Sequence, residues 1–506
     1  MINQQTGQFD IARHFDLIQR LQKSGRTQEA ISALENASTL FPEEYLFKLL
    51  KNLFIPIVYA TADEVSFYRQ RFERGLQELI QQTSLRTPEE KSNALAAISR
   101  VTNFYLAYQT GNIRELQQQY GILVHKVVAA NYPNWIEPRT MPSLPENQKI
   151  RVGYISNYLH HHSSTFWLQG WLRHSNRQNF EIYCYYIGNQ PDSITQEFQE
   201  YSDVFRHIPE NLEGVCQQIS TDNLHILVFP ELGIDALTFA IAGLRLAPVQ
   251  CTDWGYPVTS GIPTIDYYIS SELMEPENAQ EHYSETLICL PNLGIAYPQL
   301  EVPQLTKNRS DFGLRDDAVV YLCCQAPYKY LPQHDFIFAE IAKRVPQAQF
   351  VFVRAEVLKP RLKAAFAAVG KSSDDYCVFL SFLNHENYLR LNLLSDVFLD
   401  TLGFTGGNTT LAALACNLPV VTCPGECMRG YMSTGMLKML GFSETIAKNE
   451  TEYIEIAVRL GLEPQWRQQI VQYIGKHKNC LFDDNVSVAA LEEFYQQVVR
   501  KRLIQN

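Results

Sequence analysis

Three stretches of the 506-residue sequence carry residue types whose spacing suits the binding and breakdown of an anionic substrate. The richest is Asp400-Thr401-Leu402-Gly403-Phe404-Thr405-Gly406-Gly407-Asn408-Thr409-Thr410, between an apolar run ending at Leu399 and a helix expected over 411–416. Its glycines deliver the chain into a helix start, where unpaired N–H groups and the helix dipole favour an anion such as a diphosphate. The hydroxyls of Thr409 and Thr410 add donors, and Asn417 and Pro419 stop the helix promptly. Lys329, in Gln325-Ala326-Pro327-Tyr328-Lys329, follows the strand expected over 319–324. A lysine there can neutralise a leaving diphosphate, against the ordinary alternative of a solvated surface charge. The third stretch, Ser156 to Thr165, holds His160, His161 and His162. Side chains at three successive positions do not converge on one ion, and no carboxylate or cysteine cluster accompanies them, so no metal is read here. A histidine in that loop is better placed to act on a hydroxyl or to hold a phosphate. His225 lies inside an apolar run and on its own reads as a core histidine, while Glu231 and Asp235 just beyond are candidate acid or base carboxylates or plain loop residues.

The elements around these residues imply three domains. Residues 10–132 read as successive helices with few prolines. Two stretches there share a pattern, Gly25, Glu29-Ala30, Leu34, Ala37, Pro42 and then Gly111, Glu115-Leu116, Tyr120, Ala129, Pro133, as in degenerate tetratricopeptide-type hairpins; a plain helical bundle is the alternative. Pro133, Pro138, Pro142 and Pro145 mark a connector. Beyond it, strands expected over 150–155, 181–187, 224–229, 248–252 and 265–270 alternate with helices, and a second set comes at 319–324, 350–353, 378–380, 397–399 and 420–422. This alternation implies an α/β fold with two doubly wound, Rossmann-like parallel sheets. The expected division is an all-α domain over 1–147, a first Rossmann-like domain over 148–305 and a second over 306–506 with terminal helices. Ligands of such sheets sit at the carboxyl ends of the strands, so two facing sheets place a site in the cleft between them.

Bulk composition narrows the function classes. A net charge of -11 disfavours nucleic acid and anionic membranes as partners. The first residues have neither a basic start nor an apolar segment, no apolar run reaches bilayer length, and the eleven cysteines lack zinc spacing, which together point to a cytoplasmic setting with free thiols.

These pieces, in this order, resemble the O-GlcNAc transferase and SPINDLY-type family, glycosyltransferase family 41, including its shorter bacterial members. The clearest stretch is Leu246-Ala247-Pro248-Val249-Gln250-Cys251-Thr252-Asp253-Trp254-Gly255-Tyr256-Pro257-Val258-Thr259-Ser260-Gly261 with Ile265-Asp266-Tyr267-Tyr268; Arg151 to Ser156, Tyr283-Ser284-Glu285, Tyr328-Lys329, Asp396 to Thr401, Thr422 to Glu426 and Ile446 to Asn449 also match. The resemblance covers about residues 149–500. It implies a GT-B fold and a metal-independent enzyme without a prosthetic group, moving a sugar from a UDP-sugar, UDP-GlcNAc or UDP-glucose, to a protein or peptide acceptor. By the same resemblance, His162 lies near the reacting centre and His225 lines the same pocket. Lys329 contacts the diphosphate, Thr409 and Thr410 hold phosphate oxygens, Gln325, Gly406, Gly407 and Asn408 belong to the same nucleotide-sugar site, and Leu293 and Gly294 border the donor sugar. His385 and Tyr388 flank the base, in place of a Lys and a His, and Tyr388 can stack on uracil. Asn408 stands where the animal enzymes have His, and Ala413 where they have Asp. The expected reaction is attack of a Ser or Thr hydroxyl on the anomeric carbon, with His162 as first candidate base and His225 or Glu231 as the second. An Asn acceptor, a nucleotide-sugar enzyme without a protein acceptor, a catalytically weak helical-repeat scaffold and homo-oligomerisation stay open.

Overall fold

Helix-forming sequence fills the amino-terminal third. The computed structural model describes residues 2–505, with side chains over 9–504. Six helices come first: α1 (Ile2–Lys23), α2 (Thr27–Leu40), α3 (Tyr45–Asn52), α4 (Ala62–Gln82), α5 (Pro88–Ile98) and α6 (Arg114–Asn131). Their ends obey local chemistry: Thr87 and Glu90 form a reciprocal cap with Pro88 in the first turn of α5, and Thr61 caps α4 through the Glu64 N–H. A stripe of Leu116, Tyr120, Leu123, Val124, Val127 and Val128 buries one face of α6. The first of the two similar stretches forms the α1–α2 hairpin around Gly25. The second does not repeat it: Gly111 precedes α6 alone, and the residues before it form a 3-10 turn, Phe104–Tyr108.

The first lobe is a seven-stranded, all-parallel sheet of β1 (Ile150–Ser156), β2 (Phe180–Tyr186), β3 (Val204–His207), β4 (Ile226–Phe229), β5 (Val249–Asp253), β6 (Tyr267–Ser271) and β7 (Thr286–Leu290), in the order β3-β2-β1-β4-β5-β6-β7. Helices α7 (Phe166–His174), α8 (Ser193–Glu200), α9 (Leu212–Asp222) and α10 (Ala236–Ala242) connect them. The second lobe carries β8 (Val319–Cys323), β9 (Ala348–Val353), β10 (Cys377–Leu380), β11 (Val397–Leu399) and β12 (Val420–Val421), ordered β10-β9-β8-β11-β12, with α11 (Phe336–Arg344), α12 (Lys359–Ala368), α13 (His385–Leu394), α14 (Asn408–Ala415) and α15 (Met432–Met439). Central β4 and β5 are buried throughout; β4 is the continuous apolar run Ile226-Leu227-Val228-Phe229, whereas β5 buries Gln250, Thr252 and Asp253 among its apolar residues. The sequence pattern missed β3 and β7, edge strands whose part-exposed residues lack that run.

Three terminal helices complete the chain, α16 (Glu450–Leu462), α17 (Pro464–His477) and α18 (Asn485–Gln505). The last returns to the first lobe, where the Tyr154 and Tyr495 hydroxyls meet at 3.3 Å and Glu492 accepts from the Asn176 N–H at 2.6 Å. Residues 306–506 are therefore not one spatial unit. The helical domain touches both lobes: Asn112 Nδ2 donates to the Glu281 carbonyl at 3.1 Å on one side, and Arg361 and Arg429 donate to the Tyr59 and Gly111 carbonyls at 3.1 and 2.6 Å on the other. Among the described residues no helix is long and apolar enough to cross a membrane.

Gly121 of α6 lies against the Gly261 backbone, and a Cβ on it would sit 2.3 Å from the Gly261 oxygen. Neither backbone can yield without parting α6 from the first lobe. Gly121→Ala is expected to cost about 1–3 kcal/mol, read as a Tm several degrees lower in thermal unfolding.

Candidate active site

The strands β1, β4 and β5 of one lobe and β8 and β11 of the other end at a shared cleft of about 780 Å³. His162, Ser164, Trp254 and Tyr256 line it from the first lobe, Gln325, Lys329, Tyr388 and Thr409 from the second, and Phe104, Tyr105 and Tyr108 from the helical domain.

On the second-lobe side the organising group is Asp400, 3% exposed at the end of β11. Its Oδ1 accepts from the Thr401 N–H (3.0 Å), the Gly406 N–H (2.8 Å) and Gln325 Nε2 (3.2 Å), and its Oδ2 from the Thr422 hydroxyl (2.8 Å). The turn before α14 is thereby wrapped around a buried carboxylate. Gly406 allows the tight approach: a Cβ would stand 2.3 Å from Thr410 Oγ1 and 2.6 Å from both Gln325 Nε2 and Thr409 Oγ1. Gln325 passes the order on. Its Nε2 also donates to Thr409 Oγ1 at 2.9 Å, and its Oε1 accepts from Lys329 Nζ at 3.0 Å. Lys329 gives a second proton to the Thr405 carbonyl at 2.8 Å, and the ammonium lies 4.5 Å from the Phe404 ring centroid. Of three ammonium protons one is left for the cleft. Burial pushes Lys329 down to about 8, against the nearby Asp400 charge that raises it; burial raises Asp400. At the first turn of α14 the N–H groups of Asn408 and Thr409 have no acceptor among the described residues. An ammonium and open helix N–H groups thus flank one wall, the arrangement a diphosphate requires.

The opposite wall carries the histidine loop. The His162 ring stacks on Tyr158 at 4.0 Å and 15°, and burial pushes it down to about 4, so it is neutral near pH 7. Its Nδ1 lies 2.7 Å from Ser164 Oγ and accepts from the Ser164 N–H at 3.3 Å. A backbone N–H can only donate, so Nδ1 is unprotonated and the ring proton sits on Nε2. The three imidazoles diverge: His160 Nδ1 meets the Tyr186 hydroxyl at 3.0 Å, and His161 packs edge-on against Phe166 and, across the cleft mouth, His385.

Several expected site residues lie elsewhere. His225 precedes β4, at the amino edge of the sheet opposite the cleft, where its Nδ1 accepts from the Arg151 N–H at 3.0 Å. It is fully buried and does not line the pocket. Glu231 is buried between the ends of β1 and β5, and burial pushes it up to about 8 against the Ser156 hydroxyl and the Asn157 N–H nearby, which lower it. Asp253 beside it has one unpartnered oxygen, and burial raises it too. Asp235 caps α10, accepting from the Thr238 N–H at 2.7 Å. Thr410 turns away from the cleft to the Ser433 hydroxyl at 2.7 Å. Leu293 is buried, and Gly294 accepts from Trp171 Nε1 at 3.2 Å behind the cleft wall. His385 is exposed at the rim, whereas Tyr388 lines the cleft with its hydroxyl 3.2 Å from Cys324 Sγ.

Sequence reasoning missed an aromatic wall. Tyr108 stacks on Phe404 at 4.5 Å and meets Tyr328 at 4.3 Å, while Phe104 stacks on Tyr256 at 5.5 Å. The run Phe104-Tyr105-Leu106-Ala107-Tyr108, dense in aromatics between two helices, was the available signal. Arg354 and Phe382 also line the cleft beside Tyr388; Arg354 closes β9 with a φ of 55° and lies 5.6 Å from the Phe382 ring, which is 71% exposed. The long motif around residues 246–261 is largely structural: Ser260 donates its N–H to buried Glu285 at 2.8 Å, Thr259 adds its hydroxyl, and this holds the turn that presents Trp254 and Tyr256. Among the described residues no group of three or more His, Cys, Asp or Glu side chains is arranged to hold a metal ion.

Comparison with known proteins agrees with this architecture. The Thermobaculum terrenum O-GlcNAc transferase, in a mutant form, has the same fold, with a TM-score of 0.69 at 22% identity over 97% of this chain and 98% of that one. The probable UDP-N-acetylglucosamine–peptide N-acetylglucosaminyltransferases SEC of Arabidopsis thaliana and SPINDLY of Solanum lycopersicum are 26% and 25% identical over 77% and 73% of this chain. The chain spans about two fifths of the length of these curated relatives, 42% and 40%. The profile described as glycosyl transferase family 41 matches residues 112–296 and 298–490, most of the sequence and both lobes, and the chain belongs to that family.

Proposed function

We propose that this chain moves a hexose from a UDP-sugar, UDP-GlcNAc or UDP-glucose, to a protein side chain, a Ser or Thr hydroxyl in the first instance, and that it does so in the cytoplasm. One observation carries the reading: Lys329 and the open first turn of α14 face the same cleft as a neutral, oriented His162. The diphosphate lies along Lys329, Thr409 and the Asn408 and Thr409 N–H groups, and the base end reaches Tyr388 with Phe382 and Arg354 beside it. As the acceptor oxygen bonds to the anomeric carbon, the sugar–phosphate bond breaks and its electron pair leaves with UDP. Lys329 and the helix start meet that charge, and a well-placed donor of this kind contributes on the order of 3 kcal/mol. With its proton on Nε2, His162 acts as a donor that holds the acceptor oxygen or a phosphate oxygen, not as the base. Glu231 is sealed from the cleft and His225 is at the far edge, so the hydroxyl proton passes to an oxygen of the departing diphosphate. The peptide acceptor is supported by the names of the plant relatives, and the cytoplasmic setting by eleven free cysteines.

Incubation with UDP-GlcNAc or UDP-glucose and lysate protein should release UDP and add an N-acetylhexosamine or hexose mass to protein, while GDP-fucose should release no GDP; UDP release without protein modification would refute the acceptor assignment. Lys329→Ala should lower transfer at least about a hundredfold with the fold retained on thermal unfolding. The Lys329 value of about 8 also sets a pH dependence. A depressed lysine is charged below that value and neutral above it, while the phosphates of UDP only gain negative charge over this range, so UDP affinity should fall roughly tenfold from pH 7 to pH 9. Titration calorimetry on wild type and Lys329→Ala checks it, since the slope must vanish in the variant.

A further inference from the structure

Asn408 opens α14 beside the diphosphate position, yet its side chain spans the cleft: Nδ2 donates to the Ser163 carbonyl oxygen of the other lobe. That carbonyl and the Ser164 N–H belong to one peptide unit, which is planar and rigid. The same unit's N–H donates to His162 Nδ1 at 3.3 Å and decides which imidazole nitrogen carries the proton. The carbonyl held by Asn408 and the N–H that reads out on His162 are thus opposite ends of a single plate, and a hydrogen bond accepted at one end strengthens donation at the other. The lobes also meet on both sides of this contact. His161 and His385 approach edge-on at 6.5 Å, and Gly407 lies against the Trp254 ring, where a Cβ would stand 3.6 Å from Cζ3.

We propose that Asn408 is a positioning residue that acts on His162 through the 163–164 peptide plane, so that approach of the diphosphate helix to the first lobe and selection of the Nε2–H tautomer are one event. This rests on the transferase reading for its catalytic meaning, but the coupling is a property of the protein alone. The Asn408 side chain is therefore not a nucleotide contact, although its backbone N–H, which a substitution leaves in place, faces the diphosphate position. Its partly exposed position, with no other side-chain bond among the described residues, makes it replaceable without loss of the fold.

The test uses the full chain with 15N-labelled histidine, His162 being assigned by loss of its signals in His162→Gln. Wild type should show His162 as the Nε2–H tautomer at pH 7. Asn408→Ala and Asn408→Asp, which cannot donate, should give a tautomer mixture, and Asn408→Gln should restore part of the wild-type pattern. UDP affinity by calorimetry should stay within about threefold in Asn408→Ala, while turnover falls tenfold or more at nearly constant donor KM. An unchanged His162 tautomer in both Asn408→Ala and Asn408→Asp would overturn the coupling, and so would a tenfold or greater loss of UDP affinity in Asn408→Ala. The tautomer measurement needs no turnover, so failure of the transferase reading leaves it decisive.

Discussion

A single carboxylate, buried at the end of β11, carries the order of the second lobe's half of the site. Asp400 has four hydrogen-bond donors, two of them backbone N–H groups of the turn it precedes. A buried carboxylate left unpaired would cost several kcal/mol, so the turn has little freedom to relax away from it. Constraint then passes from residue to residue: Asp400 orients Gln325, Gln325 orients Lys329 and Thr409, and Lys329 is held to the Thr405 carbonyl in the same turn. The ammonium is desolvated before any anion arrives, which is why its proton is less tightly held than that of a surface lysine. Preorganisation of this kind places positive charge where negative charge develops, without reorganisation at the moment of reaction.

The two walls differ in how they are stabilised. The diphosphate wall is a turn and helix start on a parallel sheet, ordered by local hydrogen bonds. The histidine wall is a loop after β1 whose side chains disperse to different partners, and His162 is kept neutral by burial against Tyr158. The helical domain joins both, since Tyr108 packs on Phe404 and Phe104 on Tyr256 while Arg361 and Arg429 tie it to the second lobe. The helical domain therefore forms part of the cleft's lining.

Glu231 and Asp253 show how far burial can separate residue type from role. Both are acids at the carboxyl edge of the sheet, where catalytic groups of this fold collect, yet both are sealed below the surface and raised by desolvation. Together they mark a buried polar spot beside the end of β1, under the histidine loop.

The amino-acid sequence by itself determined the alternation of buried strands and helices, the glycine turn opening α14, and Lys329 after β8. These are local facts: continuous apolar runs, capping and turn residues act within a few positions of one another. It determined the family too, through motifs such as residues 246–261, although their shared purpose turns out to be mostly the support of a turn by Glu285. Edge strands β3 and β7 escaped because a strand buried on one side carries only half the signal. Only the tertiary structure decided which side chains meet: that His225 is buried at the amino end of β4, away from the cleft, that Thr410 bonds Ser433, that Phe104, Tyr105 and Tyr108 reach the cleft, and that Asn408 touches Ser163. Those outcomes depend on sheet direction and on lobes distant in sequence packing together, and no spacing along the chain encodes a contact across 245 residues.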